Sequence, residues 1–170
     1  PAEQVRKLLM LKIAIVENEA EQTELLRGYI ARYSEEKGEK CHVTAYPNGL
    51  EFISNYQSGF DAVFMDIKMP LIDGMEAAEK LRRVDKDVIL IFVTNMAQLA
   101  IRGYKVNAMD FMVKPVSYFD FAMEMDKIRA EHDRRGHVRD RGTAPHAADD
   151  CQRAHERGPH EHHERGVHEG

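Results

Sequence analysis

Apolar positions along the first 128 residues fall into two alternating rhythms. Residues 12–16 (KIAIV), 62–65 (AVFM) and 88–93 (VILIFV) are short, nearly unbroken apolar runs of the length and β-branched content of buried strands, and residues 41–46 read as a more alternating strand. Between them the period lengthens. Residues 19–37 place Leu25, Leu26, Tyr29, Ile30 and Tyr33 at helical intervals, with Gly38 positioned as a stop. Residues 48–56 predict a short helix with Leu50, Phe52 and Ile53 on one side. Residues 75–84 predict another, after a loop containing Pro70, Asp73 and Gly74. A weaker helix is expected over 97–106 and a short fifth strand over 111–113. Ser117, followed three residues later by Asp120, has the spacing of a capping box. Behind it Tyr118, Phe121, Met125 and Ile128 form one apolar stripe. Strand and helix alternating five times, with strands apolar on both sides, predict an α/β domain whose parallel sheet is covered by helices on both faces.

Composition changes the picture only beyond Ile128. From there on the chain has no Leu, Ile, Met, Phe, Tyr, Trp or Lys, but it carries eight of the nine His and eight Arg. The expected organisation is an N-terminal extension over 1–9 ahead of a natural start at Met10, a domain over 10–130, and an Arg/His-rich, low-complexity tail over 131–170. That tail is expected to be disordered or non-native, with the abrupt shift in residue usage that a change of reading frame leaves. The longest apolar run is far below the roughly 20 residues of a membrane helix. Residues 6–16 do not make a signal peptide: Lys12 interrupts the apolar stretch, Glu17 ends it, and no small-residue cleavage site follows. Cys41 and Cys151 make no disulfide framework, so a reducing, cytoplasmic setting is expected. The net charge of −5 is spread over both parts, and neither is a basic nucleic-acid surface. The HEHHE run at 160–164 offers imidazoles to Zn2+ or Ni2+, but no Cys pair or second His cluster completes a site.

In sheets of this kind the chemistry lies at the carboxyl ends of the strands. Those ends carry Glu17, Asn18 and Glu19, then Asp66, then Thr94 and Asn95, then Lys114 and Pro115. Carboxylates and amide oxygens are hard donors suited to Mg2+. An aspartate can act as an oxygen nucleophile toward phosphorus. A phosphoryl group placed on Asp66 would present charged oxygens that need a cation, a hydroxyl and a metal, which Lys114, Thr94 and Mg2+ would supply. Plainer readings stand beside these. Asp73, ahead of Gly74, reads as a cap or turn residue, Thr94 as a helix cap, Phe111 as core packing, and Met65, Met69, Met75 and Met96 as adaptable packing.

Four segments together, IAIVENE at 13–19, VFMDIKMPLIDG at 63–74, IFVTN at 91–95 and FMVKP at 111–115, resemble the receiver (CheY-like) domain of two-component response regulators, in the family's order and over about residues 10–130. The resemblance implies a flavodoxin-like, doubly wound five-stranded parallel sheet. It further implies phosphorylation of Asp66 by a partner histidine kinase, and Mg2+ held by Glu17, Asn18, Asp66 and the backbone carbonyl of Lys68. Thr94 and Lys114 would contact the phosphoryl group, Thr94 and Phe111 would act as the switch, and the Lys114–Pro115 bond would be cis. The signal would leave through the face of the fourth helix, fifth strand and fifth helix, where a homodimer is also expected. Residues 106–121 look most like receivers that precede a LytTR-type DNA-binding domain, which implies a role in transcription regulation, although this chain itself would not bind nucleic acid.

The family usually has two carboxylates where this chain has Glu17-Asn18. An Asn carbonyl can coordinate Mg2+ but brings no charge, so weaker metal binding is expected, with Glu19 able to contribute through water. The alternative function is a receiver-like interaction module that works without phosphorylation. An aspartyl-phosphate hydrolase of the haloacid dehalogenase type would need a second Asp where Lys68 stands. A flavin site would need a phosphate-cradling loop after the first strand, which is missing.

Overall fold

The computed structural model describes residues 10–141, with side chains described to residue 136. Its elements in chain order are β1 (Met10–Val16), α1 (Ala20–Lys37), β2 (Lys40–Tyr46), α2 (Gly49–Ser54), β3 (Ala62–Met65), α3 (Gly74–Val84), β4 (Ile89–Thr94), a 3-10 helix (Ala97–Val106), β5 (Asp110–Val113) and α4 (Tyr118–Arg141). The five strands form one all-parallel sheet in the order β2-β1-β3-β4-β5. After β2 the chain reverses its direction of travel across the sheet, so the crevice between the ends of β1 and β3 is the topological switch point, where doubly wound folds place their ligands.

The strands alternate their side chains between two apolar layers. Ile13, Ile15, Phe64 and Ile91 pack against Leu26, Ile30 and Tyr33 of α1 and Phe121, Met125 and Ile128 of α4. Val16, Val63, Met65, Leu90 and Phe92 pack on the other face against Phe52 of α2 and Met75, Ala78 and Leu81 of α3. Tyr29 and Tyr33 tie α1 to the chain around α4, their hydroxyls donating to the Val116 carbonyl (2.9 Å) and to Asp126 (2.7 Å).

Local signals act where the sequence places them. Gly38 ends α1 in the left-handed region at φ 65°. Asp73 caps α3 by accepting the Glu76 N–H at 2.8 Å. Ser117 starts α4 by accepting the Asp120 N–H at 3.1 Å while donating to the Asp120 carboxylate at 2.9 Å.

One element differs from the sequence-based expectation, and another runs past the expected boundary. Residues 97–106 form a 3-10 helix, the tighter form used in short, weakly anchored pieces. Only Gly103 and Val106 of it are buried, and its end is held from outside by Arg82, whose guanidinium donates to the carbonyls of Val88, Val106 and Asn107. The expected domain boundary at residue 130 lies inside α4, which continues to Arg141. Apolar packing does end at Ile128, but polar pairs carry the helix onward: Arg129 meets Glu39 at 2.8 Å and His132 meets Asp61 at 3.0 Å. The compact unit closes at Arg134, and residues 135–141, helical in backbone, belong to a second unit. The extension over 1–9, the rest of the tail with its HEHHE run, and Cys151 lie outside the described residues. Among the described residues no helix is long and apolar enough to cross a membrane.

Candidate functional site

The parallel register brings three strand ends to one edge of the sheet. Val16 lies opposite Met65 and Met65 opposite Phe92, so the residues that follow β1 and β3 emerge beside the last residues of β4. Main-chain bonds continue the pairing one step past the strands: Asp66 N–H donates to the Val16 carbonyl at 3.0 Å and Glu17 N–H to that of Tyr46 at 3.1 Å. On the far side Lys114 N–H donates to the Thr94 carbonyl at 2.9 Å, which aligns the end of β5 with that of β4. The Lys114–Pro115 peptide bond is cis.

From there Lys114 reaches back across the sheet edge. Its Nζ donates to Glu17 Oε2 at 2.7 Å and to Asp66 Oδ2 at 3.1 Å. All three side chains are withdrawn from solvent, with 8% of Lys114, 2% of Glu17 and 3% of Asp66 exposed. The other carboxylate oxygens are also engaged, Glu17 Oε1 by the Glu19 N–H (3.1 Å) and Asp66 Oδ1 by the Ile67 N–H (2.7 Å). Burial pushes the Glu17 carboxyl above its usual range, and the hydrogen bond from Lys114 opposes this only in part. For Lys114 burial works against the ammonium, but the hydrogen bonds to Glu17 and Asp66 outweigh it and its pKa is raised. The pocket therefore holds two buried carboxylates around one cation. Such an imbalance is expensive in a low-dielectric setting and favours a further positive charge.

A third carboxylate stands at the rim. Glu17, Glu19 and Asp66 each offer an oxygen such that all three lie within 4.8 Å of one another. This hard-oxygen set fits Mg2+, which takes few protein ligands and keeps several waters.

The remaining candidates are less tightly joined to this centre. Thr94 is fully buried at the end of β4, and its hydroxyl accepts the Met96 N–H at 3.3 Å; the N-cap of the 3-10 helix is Met96, with no side-chain capping bond. Phe111 is half-buried with its ring 5.9 Å from that of Phe92, an ordinary packing position at the edge of the second core layer. Asn18 and Lys68 have exposed side chains.

Glu19, which the sequence offers as a contributor through water, joins the acidic set. One functional contact escapes sequence reading, that of Gly74. Its N–H donates to the Ile67 carbonyl at 2.7 Å, and a Cβ there would lie 2.1 Å from the carbonyl oxygen of Asp66. The first turn of α3 is pressed against the backbone of the central aspartate, and only a residue without a side chain allows that approach.

Comparisons with known proteins agree with this geometry. The model of the response regulator receiver domain matches residues 13–123. Sensory transduction protein LytT of Oceanobacillus iheyensis is 36% identical over 85 residues, covering 48% of this chain and 35% of that protein. An uncharacterized response regulatory protein of Yersinia pestis is 35% identical over 120 residues, covering 70% of this chain and 48% of the other. The chain thus spans about a third to a half of the curated relatives it matches. Among solved structures, the response regulator TrrA from Thermotoga maritima, in complex with Mg2+-BeF, is similar with a TM-score of 0.60 and 27% identity over 70% of this chain and 99% of that one.

Proposed function

The chain belongs to the response regulator receiver family, and from that premise we propose that it is a phosphoacceptor, taking a phosphoryl group from a histidine kinase onto Asp66 in the presence of Mg2+. Receiver domains are signalling domains that histidine kinases phosphorylate and that bind Mg2+ in an acidic pocket. The observation that carries the reading for this chain is the convergence of Lys114 Nζ on Asp66 and Glu17 from the far side of the sheet.

In this reading an Asp66 oxygen attacks the phosphorus of a phosphohistidine. The P–N bond breaks with its electron pair going to the imidazole, and a P–O bond forms. Glu17, Asp66 and the Lys68 carbonyl would hold Mg2+, which when bound draws charge from the phosphoryl oxygens. Lys114, already within reach of Asp66, exchanges a carboxylate oxygen for a phosphoryl oxygen without leaving its buried position. Thr94 turns its hydroxyl from the Met96 N–H toward the new group, and Phe111 moves inward behind it. The added charge of about −2 is thereby reported to the face formed by the 3-10 helix, β5 and α4. That face carries exposed Ile101, Tyr104, Val113 and Met123, a surface suited to pairing with a second copy. Similarity to the sensory transduction protein LytT and to the transcriptional regulatory protein YpdB of Escherichia coli supports a role in transcription regulation in the cytoplasm, exerted through a longer protein; in this reading the domain itself makes no nucleic-acid contact.

The test is intact mass of the full chain after incubation with acetyl phosphate, with and without Mg2+, beside Asp66→Asn. A Mg2+-dependent gain of one phosphoryl group, absent in the variant, is expected. No gain at millimolar Mg2+ by folded protein would overturn the proposal in favour of a phosphorylation-independent receiver-like module, the reading that the neutral Asn18 favours.

A further inference from the structure

Position 18 is where the acidic pair loses its second charge, yet the pocket is not short of a third carboxylate. We infer that Glu19, one residue further on, supplies the metal ligand that Asn18 would otherwise provide, so that the acidic pair of this chain is Glu17 and Glu19. The inference rests on the reading that the pocket binds Mg2+.

Three independent features support it. The first is placement: a Glu19 oxygen lies within 4.8 Å of oxygens on both Glu17 and Asp66. Oxygens around Mg2+ are separated by about 2.9 Å when adjacent and about 4.2 Å when opposite, given metal–oxygen distances of about 2.1 Å. The most that has to close is therefore about 0.6 Å for an opposite pair and about 1.9 Å for an adjacent one, within the rotamer freedom of an exposed glutamate. The second is availability. Glu19 occupies the N-cap of α1 but its side chain makes no capping hydrogen bond, so a metal would not have to displace a helix contact. Its backbone is meanwhile anchored, through its N–H to Glu17 Oε1 and its carbonyl to the Thr23 N–H at 3.0 Å. That anchoring leaves the carboxylate free while fixing where it starts from.

The third feature is charge. Lys114 is bonded to Glu17 and Asp66 together, so one ammonium answers two buried carboxylates. With Glu19 at the rim the set carries three negative charges against one positive. A divalent cation closes that imbalance, and an Asn carbonyl at position 18 would add nothing to it.

The experiment is Mg2+ binding by calorimetry on the full chain, with Mn2+ paramagnetic resonance as a second readout of the coordinating oxygens. Wild type, Glu19→Gln, Asn18→Ala and the double variant Asn18→Asp/Glu19→Gln are compared, each first shown by circular dichroism to be folded in metal-free buffer. Glu19→Gln is expected to weaken Mg2+ binding about tenfold or more, on the scale of losing a ligand or its support. Asn18→Ala is expected to leave it within about twofold, and the double variant to recover most of the loss. Wild type that binds Mg2+ with an affinity unchanged in Glu19→Gln, or weakened more by Asn18→Ala, overturns the assignment of Glu19 alone. Wild type that binds no divalent cation overturns the metal reading of the pocket, and this inference with it.

Discussion

Replacing Gly74 by Ala tests whether the approach of α3 to Asp66 is as tight as it stands in the structure. The new Cβ would fall 2.1 Å from the Asp66 carbonyl oxygen, 2.8 Å from Ile67 Cα and 2.9 Å from the Asp66 carbonyl carbon, whereas real Cβ contacts essentially never come under 3.0 Å. Every one of these neighbours is backbone, so no side chain can swing away. Relief requires the first turn of α3 to part from the end of β3 by most of an ångström, which strains the 2.7 Å bond from Gly74 N–H to the Ile67 carbonyl. Overpacking of this kind costs about 1–3 kcal/mol where side chains can adjust, and with main chain on both sides the upper end is expected. For a unit of this size about 3 kcal/mol lowers Tm by roughly 10 °C. Gly28→Ala is the control: it sits exposed within α1 with nothing within 4 Å of its added methyl. By helix propensity alone that change should stabilise by about 1 kcal/mol. Thermal unfolding of the full chain followed by circular dichroism separates the two. If Gly74→Ala melts at or above the wild-type temperature, the close approach is not a constraint and the argument for Gly74 fails. Phosphoryl uptake from acetyl phosphate should also fall in this variant, because Asp66 is carried on the displaced segment.

Two further outcomes follow from the ionisable groups. Lys114→Gln leaves Glu17 and Asp66 buried without their cation, which should cost about 3–5 kcal/mol near neutral pH in metal-free buffer. Because the folded-state pKa of Glu17 is already raised, protonation relieves the strain. The stability gap between variant and wild type in urea titrations should narrow as pH falls from 7 toward 5, and a gap that widens would refute the pairing. Asp85 lies on the opposite sign. Burial pushes its pKa up, but the Tyr56 hydroxyl at 2.6 Å and the N–H groups of Val88 and Asp87 outweigh this and hold it below the ordinary carboxylate range. Its contribution is present above the unfolded pKa and lost as pH falls through the lower folded value. The stability difference between wild type and Asp85→Asn should accordingly shrink on acidification below about pH 4; a difference that persists to pH 2 would mean that the contacts do not depend on the charge.

Much of the architecture can be read from the chain because it is written in local periods. A run such as VILIFV can be buried on both sides only in a central strand, and the spacing of Tyr118, Phe121, Met125 and Ile128 leaves one face for the core whatever lies opposite. Caps are equally local: Asp73, Ser117 and Gly38 act within four residues of where they stand. The end of α4 is not local. Its apolar stripe stops at Ile128, but Glu39 and Asp61, distant in sequence, supply partners for Arg129 and His132. The end of the 3-10 helix is likewise met from a distance, by Arg82 reaching over from α3.

The candidate site divides along the same line. The chain by itself determined which residue types stand at the strand ends, since a strand must stop where a charge or a turn follows it. That was enough to single out Asp66, Thr94 and Lys114 and the acidic group after β1. Only the tertiary structure decided which of these meet. The parallel register sets Val16 beside Met65, Lys114 crosses the sheet edge to both carboxylates, and Gly74 touches the Asp66 backbone. It also set Glu19 close to Glu17 and Asp66. The physical reason is that residue type is a property of one position, whereas distance, burial and the resulting balance of charge belong to pairs that only the folded sheet brings together.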